Sequence, residues 1–186
     1  MSTASARETE LLEKAYGYVL EHGLSEMSLR PLAGAIGSSP RVLLFLFDSK
    51  DELVRRLLAR ARQDELALLS ADSGHDLVDT ARLVWTWLAD PAHAPLLRLW
   101  VEAYGRSLLE PDGPWGPFAE QTVADWLAVL AAAQVSGVRR TARGRDQRTH
   151  VLALLRGALL DLLATGDRHR LDRAVDAAIT AFAPSG

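Results

Sequence analysis

Hydrophobic residues in the first third of the chain recur every three or four positions, the spacing of one face of an α-helix. They form four groups, at residues 11–19, 29–36, 43–47 and 53–61. Gly23 and Gly37 follow the first two groups, and glycine readily adopts the left-handed conformation that ends a helix. Serines precede the last three groups, and serine is a preferred N-cap residue. The pattern therefore predicts four helices separated by short turns.

The second and third predicted helices are short and joined by a tight turn. Gly37 ends the first of the pair, Ser39 can cap the second, and Pro40 falls at the first helical position, where its fixed φ is favourable. Two short helices joined in this way are typical of a helix-turn-helix, whose second helix enters the major groove of DNA. This segment therefore carries the main functional prediction.

The side chains of the third predicted helix divide into two faces. Leu43 and Phe47 are one turn apart and are expected to face the core, whereas Arg41, Val42 and Phe45 are expected to face outward. After this helix, residues 49–52 read Ser-Lys-Asp-Glu, the pattern of a capping box at the start of a fourth helix of about 50–69.

The remainder of the chain also has helical periodicity. Helices are predicted at about 76–89, 95–109, 117–134 and 146–165, followed by a last helix that begins after Asp167. No strand-like alternation is evident. The predicted fold class is therefore all-α, with an N-terminal three-helix domain at residues 1–49 and a second helical domain at residues 50–186.

The predicted helices of the second domain carry most of the aromatic residues. Large aromatic side chains that line a gap between helices make a good apolar ligand cavity, and indole N–H and phenol O–H groups can orient a ligand there. The alternative is that these side chains only fill the core. The predicted ligand-binding residues are Trp85, Leu88, Trp100, Tyr104, Phe118 and Trp126.

The last two predicted helices have wide apolar stripes on a 3.6-residue period. A single helix pair cannot bury so broad a stripe, which favours association with a second copy, although burial against the chain's own helices is the alternative. The predicted dimer-interface residues are Leu152, Leu155, Leu159, Leu163, Val175 and Ile179.

The N-terminal segment, roughly residues 7–60, resembles the TetR family of bacterial one-component transcriptional regulators. The matching positions are ordered along the chain: Leu11, Leu12, Ala15, His22, Gly23, Ser28, Leu29, Arg30, Leu32, Ala33, Gly37, Leu43, Phe47 and Ser49 through Leu53. The resemblance implies a DNA-binding domain followed by a helical ligand-binding and dimerisation domain. It also implies a homodimer, because two readers on a two-fold axis match a pseudo-palindromic operator.

The resemblance implies phosphate contacts around the turn, from Ser28, Arg30, Ser38, Ser39 and Lys50. The reading helix of the family usually carries a tyrosine and often a histidine or second aromatic near its end, where this chain has leucine, phenylalanine and leucine at positions 44–46. Arg41 is the strong donor left on the helix and can contact guanine, while Val42 or Phe45 can contact a thymine methyl group. The apolar tip also leaves open that DNA binding has been lost.

Charge and composition limit the remaining function classes. The net charge of −3 counts mildly against DNA binding, although a local basic face is sufficient for phosphate contacts. The chain has no cysteine, and its five histidines do not form a metal-binding or catalytic pattern. No signal peptide or membrane-spanning run is evident. We therefore expect a cytoplasmic protein that is not an enzyme and has no cofactor or metal.

Two polar features receive structural interpretations. Arg98 and Glu102 are four residues apart and are expected to pair with each other on a helix surface. Five arginines, Arg139, Arg140, Arg143, Arg145 and Arg148, surround two glycines and predict an exposed loop. A second DNA contact is the alternative for this cluster.

The resemblance thus implies a ligand-responsive transcriptional regulator, and more specifically a repressor. It would bind a pseudo-palindromic double-stranded DNA operator as a homodimer and be released by a small apolar or aromatic effector. The alternative is a dimeric small-molecule-binding or protein-interaction module that has lost sequence-specific DNA binding.

Overall fold

The computed structural model describes residues 3–24, 27–70 and 76–181. These residues form helices and turns without any strand, so the all-α prediction is confirmed. The helices are α1 Thr3–His22, α2 Leu29–Ala35, α3 Pro40–Phe47, α4 Lys50–Ser70, α5 Leu77–Leu88, α6 Ala94–Leu109, α7 Phe118–Ala132, α8 Ser136–Arg139, α9 Ala142–Thr165 and α10 Arg168–Thr180. A short 3₁₀ turn at Pro91–His93 precedes α6.

Most predicted helix boundaries agree with the structure, but two predicted caps are wrong in detail. Ser28 occupies the extended N-cap position of α2, yet its side chain makes no capping hydrogen bond. Ser49 does cap α4, since its hydroxyl accepts a hydrogen bond from the Glu52 N–H at 3.0 Å. The Glu52 side chain does not complete the box, because it binds Arg55 and Arg56 instead.

The chain forms two compact units that do not follow the order of the sequence. The first contains the residues up to Glu65 together with Pro95–Gln121, and the second contains Leu66–Ala94 together with the residues from Thr122 onward. The first unit therefore includes the helix-turn-helix segment, most of α4 and most of α6. The functional domain boundary between residues 49 and 50 stays a prediction.

The core of the second unit is built by α5, α9 and α10, which contact one another. Leu152, Leu155, Leu159, Val175 and Ile179 are at most 5% exposed in the single chain. Because these side chains are buried by the chain's own helices, they are core residues and cannot also form the surface of a dimer interface. Leu163, the sixth predicted interface residue, is half-buried. For these five residues the stripe faces the core, which corrects their assignment to a dimer interface, whereas the assignment of Leu163 stays a prediction.

The arginine cluster is largely exposed and leads into a helix, as predicted, but its loop is much shorter than expected. Residues 136–139 form α8, and α9 begins at Ala142, so Arg143, Arg145 and Arg148 are helical. Three of the five arginines donate hydrogen bonds to backbone carbonyl groups of the same segment, Arg139 to Ala132 and Gln134, Arg145 to Arg140, and Arg148 to Arg139. These arginines therefore donate hydrogen bonds to backbone carbonyl groups along the tight connection from the end of α7 through α8 to α9.

The α8–α9 connection is expected to be intolerant of a side chain at Gly144. This residue is buried, and a Cβ atom there would lie 2.1 Å from the Val138 carbonyl oxygen. We expect Gly144→Ala to lower the free energy of unfolding by about 2 kcal/mol, since forced overpacking costs about 1–3 kcal/mol. Urea denaturation measures the change. Gly137→Ala is the matched control, because a Cβ atom there meets nothing within 4 Å, and an equal loss in both variants would contradict the packing argument.

Candidate nucleic-acid interface

The helix-turn-helix geometry follows from residues within the turn itself. Gly37 has a φ of +66°, a left-handed conformation that favours glycine, and the Ser38 N–H donates to the Ala33 carbonyl at 2.8 Å to close α2. The Ser39 hydroxyl then accepts a hydrogen bond from the Val42 N–H at 3.3 Å, and Pro40 is the first residue of α3. The turn and the start of α3 are therefore formed as predicted.

The predicted inner and outer faces of α3 are confirmed. Leu43 and Phe47 are each 1% exposed and anchor the helix to the core of the first unit. On the opposite face, Arg41 is exposed, Val42 is 38% exposed and Phe45 is 78% exposed. An exposed phenylalanine on a short, well-anchored helix is costly in water, so this face is suited to contact another molecule.

Three cations on this surface are available for an external anion. Arg30, Arg41 and Lys50 are exposed, and none forms an ion pair or side-chain hydrogen bond with a described residue. In contrast, Arg55 and Arg56 both donate to Glu52, at 2.9 and 3.1 Å. These hydrogen bonds lower the pKa of Glu52, so that this carboxylate is ionised at neutral pH and offsets the adjacent arginine charges. The turn and α3 therefore carry positive charge that no described residue neutralises.

The serines predicted to contact phosphate have different environments. Ser28 and Ser39 are exposed, and the Ser28 hydroxyl is not used for capping. The Ser38 Oγ atom is buried and has no hydrogen-bond partner among the described residues. Ser38 therefore faces the protein, and a phosphate contact from its hydroxyl would require its side chain to rotate.

Asp48 joins α3 to α4 through a strained turn that the sequence did not reveal. Its φ and ψ are +61° and −43°, and the Ser49 N–H donates to the Phe47 carbonyl at 2.6 Å across it. These are the features of a classic γ-turn, which is rare because its central residue is strained. The turn lets α4 begin immediately after α3.

Replacing Asp48 with glycine is expected to stabilise the protein. Glycine adopts positive φ without the steric cost of a side chain, and we expect the free energy of unfolding to rise by about 0.5–1 kcal/mol. Thermal and urea denaturation measure this change. Ser49→Gly is the neighbouring control and should instead be destabilising, because it removes the hydroxyl that caps α4. A destabilised Asp48→Gly variant would contradict the assigned strain.

A polar network connects α1 to α4 within the first unit. The buried Tyr16 hydroxyl donates to Asp64 at 2.9 Å, and Arg60 binds both Asp64 and Glu13 while stacking over the Tyr16 ring at 4.9 Å. Burial and the adjacent Asp64 carboxylate raise the pKa of Tyr16, so its phenol remains neutral and acts as a donor. The network joins α1 to the middle of α4.

The predicted pairing of Arg98 with Glu102 is not formed. Glu102 instead accepts a hydrogen bond from the backbone N–H of Leu24 at 3.0 Å, which joins α6 to the loop after α1. This loop begins at Gly23, whose φ is +78°. This bond uses only Oε2, and Oε1 is buried without a hydrogen-bond partner among the described residues, so Glu102 is directed into the protein and away from Arg98.

The predicted ligand-binding residues are divided between the two units. Trp100, Tyr104 and Phe118 belong to the first unit, and the Trp100 and Tyr104 rings stack with centroids 4.9 Å apart. Trp85, Leu88 and Trp126 belong to the second unit. All six are buried except Tyr104, which is half-buried. The Trp85 Nε1–H donates to Asp172 at 2.8 Å, an interaction that joins α5 to α10.

Other site types have no support in the part of the chain that the structure describes. Within residues 3–24, 27–70 and 76–181, no group of three or more histidine, cysteine or acidic side chains is placed to hold a metal ion. No helix over the same ranges has the length and apolar character needed to cross a bilayer.

Comparison with solved structures identifies the fold. A Rhodococcus sp. protein described as a TetR-family transcriptional regulator superimposes with a TM-score of 0.76 at 16% identity, covering 95% of this chain and 98% of that one. A protein from Mesorhizobium loti MAFF303099 with the same description gives a TM-score of 0.64 at 21% identity, with 98% and 97% covered. The multidrug binding protein EbrR, solved with proflavin, gives a TM-score of 0.70 at 20% identity, covering 94% of this chain and 98% of that one.

Searches of known protein families and of curated proteins found no match to the sequence. The structural likeness therefore rests on the arrangement of helices over nearly the whole chain, and it shows the fold.

Proposed function

We propose that this chain, which has the fold of TetR-family transcriptional regulators, is itself a ligand-responsive transcriptional regulator that binds DNA. The observation that carries the proposal is the exposed face of α3, where Arg41, Val42 and Phe45 project from a helix anchored by two fully buried side chains. A short, rigid helix with an available guanidinium group is suited to the major groove.

In the proposed complex, phosphate contacts position the reader and α3 selects the sequence. Arg30 and Lys50 flank the turn and α3, and both carry charges that no described residue neutralises. Ser28 and Ser39 add hydroxyl donors. Arg41 would donate two hydrogen bonds to a guanine, and Val42 and Phe45 would contact thymine methyl groups.

The proposed DNA-binding species is a homodimer formed through exposed faces of α9 and α10. Ala153, Gly157, Leu160 and Ala164 are exposed and share one face of α9, and Leu160 is 50% exposed. Ala174, Ala177 and Ala181 are exposed along α10. Small side chains allow close approach of helices, and a Cβ atom at Gly157 would meet nothing in the chain itself, so this face is open to a partner helix.

The proposed control is a small apolar or aromatic effector. Its candidate contacts are either Trp100, Tyr104 and Phe118 within the first unit or Trp85, Leu88 and Trp126 within the second. The effector alters operator affinity only if it binds one conformation of the dimer better than the other, and DNA then lowers effector affinity by the same factor. A multidrug binding protein with the same fold was solved with proflavin, which supports this ligand class. Repression of transcription in the absence of effector is part of the proposal.

The salt dependence of binding to a duplex tests the phosphate contacts. We expect Arg30→Ala and Lys50→Ala each to weaken binding to all sequences and to reduce the slope of log K against log salt by about 1 per protomer. Fluorescence anisotropy with a labelled duplex measures both quantities. Lys14→Ala is the control, since Lys14 pairs with Glu10 at 2.7 Å and should change neither. Unchanged slopes in both test variants would contradict the assigned contacts.

A second candidate function rests on the apolar tip of α3. Phe45 and Leu44 are 78% and 43% exposed, a surface that also suits a protein partner. In that case the chain would be a dimeric small-molecule-binding or protein-interaction module. Failure of the folded dimer to bind any duplex at low salt would favour this function over the first.

A further inference from the structure

A cavity in the second unit is lined by none of the residues predicted to bind an effector. It is a cleft of about 570 Å³ formed by the start of α5, the end of α7 and the segment from α8 into α9. Its apolar wall consists of Leu77, Val78, Ala133, Val135 and Val138. Small-molecule sites in proteins have volumes of roughly 300–1,000 Å³ and mostly apolar walls, so the cleft has the size and lining of a binding site.

The backbone around the cleft is held by buried hydrogen bonds. Gln134, 6% exposed, donates from Nε2 to the Gly144 carbonyl at 2.9 Å and accepts from Arg148 at its Oε1 atom at 3.0 Å. The Thr141 hydroxyl caps α9 by accepting from the Gly144 N–H at 3.0 Å. The walls of the cleft are therefore held in place by hydrogen bonds within the chain itself.

The polar groups that line the cleft include a positive charge, the guanidinium group of Arg143. Arg143 lines it and forms no ion pair or side-chain hydrogen bond with a described residue, and the adjacent Gln147 amide is likewise uncommitted. Among the described residues that line the cleft, the carboxylate is Asp76, which already accepts the Val78 and Asp79 N–H groups. Thr141 and Arg143 at the start of α9 also line the cleft, and the positive end of a helix dipole favours an anion. Apolar walls beside an available guanidinium group suit a molecule with an apolar body and one negative group.

We propose that this cleft binds a small amphipathic monocarboxylate, with its apolar body against Val78, Val135 and Val138 and its carboxylate on Arg143. Gln147 would donate a second hydrogen bond to the carboxylate. A guanidinium group matches a carboxylate in both charge and geometry, which explains the preference over a neutral or cationic ligand. The inference concerns binding alone and holds whether or not the chain reads DNA.

Octanoate and 1-octanol test the proposal, since they share an apolar body and differ in the charged group. Backbone amide shifts in ¹⁵N-labelled full chain are followed during titration, in the absence of DNA. We expect octanoate to shift Leu77, Val78, Ala133, Val135 and Val138, and to bind more tightly than 1-octanol. Arg143→Gln should weaken octanoate binding about tenfold and leave 1-octanol binding unchanged, because it removes a charge-assisted hydrogen bond.

Arg140→Gln is the matched control, since Arg140 is also exposed and belongs to the same cluster but does not line the cleft. Both arginines are on the surface, so both variants should fold, and circular dichroism checks this. Three results would overturn the proposal: octanoate shifts centred outside the cleft, equal weakening by the two substitutions, or equal affinity for octanoate and 1-octanol. Because no DNA is present, these results leave the proposed regulatory function to be decided by its own test.

Discussion

Replacing Arg41 with alanine is expected to abolish selective binding to the operator. A bidentate contact to the correct base contributes about 1–3 kcal/mol of discrimination. A homodimer makes this contact in both half-sites, so the operator should lose about 2–6 kcal/mol, an affinity decrease of roughly 30-fold or more. Binding to unrelated duplex should change much less, because it depends on phosphate contacts from Arg30 and Lys50.

Two variants distinguish base reading from charge at this position. Arg41→Lys keeps the positive charge but loses the planar fork, so it should retain non-specific affinity and lose specificity. Arg55→Ala removes an exposed arginine whose guanidinium group already pairs with Glu52 at 2.9 Å, and it should have little effect. Equal losses for operator and unrelated duplex in Arg41→Ala would contradict a base-reading role.

Replacing Leu160 with glutamate is expected to dissociate the dimer. Leu160 is 50% exposed on the small-residue face of α9, so the chain tolerates a polar side chain there when it is monomeric. In a two-fold interface each substitution counts twice, and losing about 1.5 kcal/mol of apolar burial per copy raises the dissociation constant roughly 100-fold. Burial of the charged carboxylate adds to this loss. Sedimentation velocity over a concentration series measures the dissociation constant.

The matched control for this interface is Leu83→Glu. Leu83 is 41% exposed and lies on α5 of the same unit, outside the proposed face. The Leu83→Glu substitution should leave the dissociation constant unchanged and the helical content intact. A wild-type chain that remains a monomer at high concentration, or equal effects of the two substitutions, would contradict the proposed interface.

Local signals in the sequence predicted the helices and the reading helix well. Serine at position 39, proline at position 40 and glycine at position 37 act within a few residues, so their roles in the turn could be inferred directly and are confirmed. The burial of Leu43 and Phe47 against the exposure of Phe45 also followed from helical spacing. The turn and the division of α3 into two faces could be predicted because both follow from local chain geometry.

Features that depend on tertiary partners could not be predicted from spacing. Periodicity identified the apolar stripe containing Leu155 and Val175 but not the element that covers it, which is another helix of the same chain. Likewise, Glu102 had a local arginine in reach, yet it accepts a backbone N–H from a distant loop. The role of the arginine cluster in satisfying carbonyl groups depends on the path of the backbone, which the pattern of charges does not contain.

The α3–α4 junction illustrates a third kind of limit. Aspartate is common in turns, so residue 48 was consistent with a helix boundary, but its γ-turn was not encoded in any recognised pattern. The same segment explains why half of the predicted capping box is absent, since the Ser49 N–H is used to close that turn.

Selection of binding sites from a randomised duplex pool by the purified wild-type chain, at near-physiological salt, tests the central claim most directly. We expect enrichment of a pseudo-palindrome with two equivalent half-sites, and loss of that enrichment when the same selection is made with Arg41→Ala. A folded, dimeric protein that enriches no sequence would contradict the claim that this chain is a sequence-specific DNA-binding regulator.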